Sequence, residues 1–138
     1  MKRLSAALSV AGLSALLAAC QSPAVTPSAP VSGGSKSAAL RNMEQVATAA
    51  YRCWFSCNDP EFRGYSFANE LNSFTGRPRF LLVPKGNYGG RPLLVFQAEG
   101  YAGAVTSFGP MTSGPSGARV SADLNRWSSG NTACSGNA

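Results

Sequence analysis

The chain has 138 residues, with twelve Lys and Arg against six Asp and Glu and not one histidine, for a formal net charge of +6. That length suits one hydrophobic core rather than two. The missing histidine excludes Ser-His and Cys-His nucleophilic systems and two-histidine zinc hydrolases. The positive excess is far below the dense basic stripes of nucleic-acid binders, so no nucleic-acid partner is expected.

Lys2 and Arg3 form a short basic start, and Leu4 to Leu17 follow as an apolar run without charge. Leu17-Ala18-Ala19-Cys20 closes the segment. A basic start, a short apolar run and small residues before a cut describe a secretory signal peptide. The run is about fourteen residues, and a membrane span takes roughly twenty. Ending it on a cysteine resembles the lipobox of bacterial lipoproteins. The resemblance implies cleavage before Cys20, with lipid on its sulfur and on the new amino group. Three acyl chains would hold the protein stably where one binds only marginally. It also implies a lipid-anchored place in the cell envelope. Gln21, standing where an aspartate would signal inner-membrane retention, leans toward the outer membrane of a Gram-negative cell. The resemblance covers residues 1–20 alone, so no characterised family is assigned to the rest.

The expected organisation is a signal peptide over 1–19, a lipidated cysteine and linker over 20–35, and a small domain over 36–138. In the linker, Pro23, Pro27 and Pro30 alternate with Ser, Thr, Ala and Val before Gly33-Gly34. Such a segment cannot bury enough apolar surface to fold. The domain opens with a helix expected over Ser37 to Phe55, capped by Ser35 or Ser37. Leu40, Met43, Val46, Ala47, Ala50, Cys53 and Trp54 recur at spacings of three and four. Asn58-Asp59-Pro60 ends it, because proline disfavours helix at the residue before it.

Short alternating or apolar runs then predict strands over Gly64 to Phe74, Arg79 to Val83, Leu93 to Glu99 and Tyr101 to Phe108. Turns rich in Gly, Pro and Asn separate them. Gly109 to Gly117 is expected as a loop. Ala118 to Trp127 is expected as a further alternating strand, with Val120, Ala122 and Leu124 in phase and Trp127 slipped. The fold class is therefore α+β: one N-terminal helix packed on an antiparallel sheet of about four to five strands, in two layers. This arrangement is similar in topology to cystatins, although no cystatin motif is present. Phe80, Leu82, Leu94, Phe96 and Ala98 are assigned to the helix-facing side. Leu81, Val83, Leu93 and Val95 then face the other way, where no second helix covers them and either the 109–117 loop and C-terminal tail fold over them or another protein meets them.

Setting Cys20 aside for lipid leaves Cys53, Cys57 and Cys134, an odd number for an oxidising compartment. One bridge and one free thiol is the simplest solution. Cys53–Cys134 is favoured because Cys53 lies on the regular helix, with Cys57–Cys134 as the alternative. Three cysteines binding zinc would need a fourth ligand, and the chain has no histidine, so no metal or other cofactor is expected.

Glu61, Glu70 and Glu99 could in principle pair for glycoside hydrolysis, but no spacing singles out two of them. A Ser-Lys arrangement would need Lys36 or Lys85, both at solvated positions. The chain is therefore read as a non-enzyme. Its candidate binding surface is Arg77, Arg79, Lys85 and Arg91 with Tyr88 between them, since guanidinium groups match phosphate and carboxylate geometry. The expected function is a non-catalytic membrane-anchored envelope lipoprotein acting as a binding, adaptor or structural module. Its partner would be an anionic envelope component or a protein. The alternative is an inhibitor or binder of a secreted enzyme, and a minor one is a carboxylate-based cell-wall hydrolase.

Overall fold

The computed structural model describes residues 35–135. The expected signal peptide, Cys20 and nearly all of the expected linker lie outside the described residues, as do the last three positions. Helix α1 spans Ala38–Ala50, with the Ser37 side chain accepting from the Leu40 N–H as its N-cap. Its buried face is Ala39, Met43, Val46, Ala47, Ala49 and Ala50, so Ala39 takes the inward place expected for Leu40, which is half-buried. The helix continues over Tyr51–Ser56 as a wider π-helical turn. There the amides of Cys57 and Asp59 bond five residues back, to the carbonyls of Arg52 and Trp54. Asn58 adopts φ 55° just after it, the left-handed conformation that stops a helix and that Asn tolerates.

Four strands follow as an antiparallel meander: β1 Tyr65–Glu70, β2 Arg79–Pro84, β3 Leu94–Glu99 and β4 Ala104–Phe108, in the order β1-β2-β3-β4. A 3-10 turn, Pro110–Ser113, occupies part of the expected 109–117 loop. The expected fifth strand over 118–127 is instead helix α2, Gly117–Ser128. The physical reason is periodic. Val120, Asp123, Leu124 and Trp127 are buried at spacings of three, one and three, a helical stripe that absorbs Trp127 without any slip. Gly117 starts α2 where no other residue fits, because a Cβ there would overlap the Thr112 carbonyl oxygen.

The fold is α+β with a helix on an antiparallel sheet, and the second helix departs from the one-helix arrangement. Both helices share one core with Phe80, Leu82, Leu94, Phe96 and Ala98, the sheet face assigned to them from alternation. At its centre Trp54 stacks on Phe62 with ring centroids 4.1 Å apart and meets Trp127 at 5.1 Å. The opposite sheet face is closed at its centre, with Leu81, Val83 and Val95 all buried. Pairing aligns Ala68, Leu81, Val95 and Phe108 in one row across the four strands. The two central members are 8% and 7% exposed, whereas Phe108 on the edge is 47% exposed. Cross-strand neighbours on both sides shield the central pair, and the edge residue lacks one.

Candidate functional site

The meander gives the sheet two distinct ends. At one end lie the β1–β2 turn (71–78) and the β3–β4 turn (100–103). The first residues of α1 pack here. A Cβ on Gly103 would lie 2.5 Å from the Ala38 carbonyl carbon, and Asn42 Nδ2 donates to the Gly103 carbonyl at 2.9 Å. The described chain therefore enters the domain at this end. At the far end lie the start of β1, the β2–β3 connection (85–93) and the end of β4.

These ends divide the candidate binding surface. Arg77 and Arg79 precede and open β2 at the entry end, while Lys85, Tyr88 and Arg91 follow β2 at the far end. Six residue steps along β2 separate Arg79 from Lys85, about 20 Å. The two groups also differ electrically. Arg79 Nε bonds Glu70 at 2.6 Å, and Arg77 Nε lies 3.4 Å from Glu99. Lys85 and Arg91 take part in no ion pair among the described residues. Arg63 joins them at the far end: it precedes Gly64, whose carbonyl accepts the Lys85 N–H at 3.0 Å, and it too has no ion-pair partner there. Tyr88 beside them is 67% exposed. The structure thus replaces one expected patch with a smaller far-end group of Arg63, Lys85, Tyr88 and Arg91.

The most developed polar arrangement is one that the sequence reading missed. Asp123 is fully buried, and each carboxylate oxygen faces two donors. Oδ2 accepts from Trp54 Nε1 at 2.8 Å and Arg119 Nε at 2.9 Å. Oδ1 accepts from Arg126 Nη2 and from Ser135 Oγ at 3.1 Å. Arg119 also reaches Asp59 at 2.8 Å and Glu61 at 3.5 Å. Burial works against the charge on Arg119, but hydrogen bonds and attraction from Asp59 and Asp123 outweigh it, and its pKa is raised. The arrangement ties α1, the turn before β1, α2 and the C-terminal tail together. The available signal was Arg119, Asp123 and Arg126 at spacings of four and three, which place all three on one helix face. Reading that segment as a strand scattered them.

All six carboxylates of the chain are ion-paired: Glu44 with Lys36, Glu70 with Arg79, Glu99 with Arg77, and Asp59, Glu61 and Asp123 with Arg119. Glu61 lies before β1 and Glu70 at its end, so the strand keeps those two apart. Cys53 and Cys134 form a disulfide with Cα atoms 5.3 Å apart, the favoured pairing. The expected single free thiol is overturned, because no cysteine among the described residues is free. Among the described residues no cluster of three or more His, Cys, Asp or Glu could hold a metal ion, and no helix is long and apolar enough to cross a membrane. No family model matches the chain, and no curated protein or solved structure matches it either.

Proposed function

We propose that the protein is a non-catalytic envelope lipoprotein, held to its membrane through Cys20, whose domain serves as a binding or structural module. The observation that carries the binding reading is the contrast in charge state. Every Asp and Glu side chain is engaged by an Arg or Lys, whereas Arg63, Lys85 and Arg91 have no ion pair among the described residues and lie at the end that carries the exposed Tyr88; Arg41 and Arg52 also lack one but donate to the backbone carbonyls of Lys36 and Thr132. Engaged carboxylates are poor general acids or bases, because a proton-transfer group must reach its substrate. Guanidinium and ammonium groups without a carboxylate partner, at one end with an exposed ring, suit an acidic protein surface or an anionic envelope polymer. The same far-end loop, convex and carrying Tyr88, also suits insertion into the cleft of a secreted enzyme, which is the second reading.

The anchor is tested by metabolic labelling with a fatty-acid probe. Wild type should take up label and partition into detergent, and Cys20→Ser should do neither. Continued labelling of the variant would reject lipidation at that residue. Lipidation takes the Cys20 sulfur as a thioether and so excludes a disulfide there. A non-reducing peptide map that follows Cys57 is therefore a second check. The binding surface is tested by crosslinked affinity purification from native membranes, where Lys85→Ala/Arg91→Ala should lose the partners that wild type retains.

A further inference from the structure

We infer that Phe74 and Tyr101 dock the entry end of the domain on the lipid surface. The inference rests on the proposed anchor for the identity of that surface, and the experiment below separates the two.

Phe74 and Tyr101 are 107% and 104% exposed, so no neighbour shields either ring. No other large hydrophobic side chain among the described residues approaches this, the next being Tyr88 at 67%. Phe74 sits in the β1–β2 turn and Tyr101 in the β3–β4 turn. An antiparallel meander brings both turns to one end, with the hairpins two strand spacings apart, about 10 Å. Two large rings held in water on turn tips have no role in the core.

Their location supplies the occupant. Gly103, two residues past Tyr101, is the residue against which Ala38 packs. The chain arriving from Cys20 therefore joins the domain beside these rings. The fifteen residues from Cys20 to Ser35 reach at most about 50 Å, and a tether of that contour length lets this end meet the surface that holds it. Aromatic rings settle at the level of lipid head groups, where a ring is half in hydrocarbon and a tyrosine hydroxyl stays wet. Lys36 and Arg77 lie at the same end in exposed ion pairs with Glu44 and Glu99. Two separated convex tips fit a deformable surface better than the shaped pocket of a protein. Docking this end turns Lys85, Tyr88 and Arg91 outward, toward a partner.

The test uses the full-length protein reconstituted into phosphatidylethanolamine–phosphatidylglycerol vesicles with brominated acyl chains, which quench tryptophan at the membrane. Phe74→Trp, Tyr101→Trp and Tyr88→Trp each add one reporter to the buried Trp54 and Trp127. The expected result is blue-shifted, quenched added emission at positions 74 and 101 and unquenched, red-shifted emission at 88. The Cys20 fatty-acid label is read in the same preparations. Label present with no quenching at 74 or 101 overturns docking and leaves the anchor standing. Quenching at 74 and 101 without label supports docking and rejects the anchor. Equal quenching at all three positions overturns docking, because the domain would then have no preferred end.

Discussion

Replacing Asp123 with Asn keeps the shape of the side chain and removes its charge. Because each oxygen of Asp123 faces two donors, one pair must meet the new amide NH2 group. Turned toward Trp54 and Arg119, the amide would lose two bonds. Turned toward Arg126 and Ser135 it loses one, since the serine hydroxyl can rotate to accept. The second orientation should win, leaving Arg126 without its carboxylate. A hydrogen bond to a charged group contributes about 1.5–3 kcal/mol. The half-exposed edge of Arg126 recovers some solvation, and Arg119 keeps Asp59 and Glu61. The expected loss is about 1–3 kcal/mol, a fall in Tm of roughly 5–20 °C for a domain of this size. Urea unfolding followed by tryptophan fluorescence is the assay, as both tryptophans of the chain lie in the adjoining core. A double-mutant cycle with Trp54→Phe then isolates the indole bond. A change below about 0.5 kcal/mol for Asp123→Asn would refute the claim that this carboxylate organises the domain.

Three further outcomes are expected. Cys134→Ala opens a loop of 81 residues and should lower stability by about 4–5 kcal/mol on the chain-entropy model, measured by the same unfolding assay. A Cys57–Cys134 peptide in a non-reducing map would reverse the pairing. Gly117→Ala should cost more than the few tenths of a kcal/mol typical of a helix start, because its methyl must displace the Thr112 carbonyl. An unchanged Tm would show that the 3-10 turn yields freely. If the far-end cations bind an anionic partner, affinity should fall as salt rises and Lys85→Ala/Arg91→Ala should flatten that dependence. Arg77→Ala/Arg79→Ala should affect it less, since both arginines already hold carboxylates.

Helix α1 and all four strands were legible because their apolar spacing is unambiguous and glycine-rich turns separate them. The inward sheet face followed from alternation alone, down to Phe80, Leu82, Leu94, Phe96 and Ala98. Helix α2 was obscured by chance agreement with a period of two over Val120, Ala122 and Leu124. The buried polar Asp123 interrupts what would otherwise read as an apolar helical stripe. Its meaning depends on donors from Trp54 and Ser135, 69 residues earlier and 12 later, which no local pattern can join. The basic group failed as one patch for a related reason. Residues close in sequence at the two ends of a strand are far apart in space, and the carboxylates that neutralise Arg77 and Arg79 come from other strands.

The disulfide also fixes how the domain would behave under tension applied to its two chain ends. Cys53 and Cys134 enclose most of the described chain. Pulling on the two chain termini can therefore lengthen only the segments outside the bridge. On the N-terminal side that is residues 35–53, about 18 residues and roughly 60 Å of contour length, against roughly 350 Å if the whole domain paid out. The sheet, α2 and the far-end loop lie inside the covalent ring, so a molecule stretched from its chain ends would keep them out of the force path after α1 had yielded.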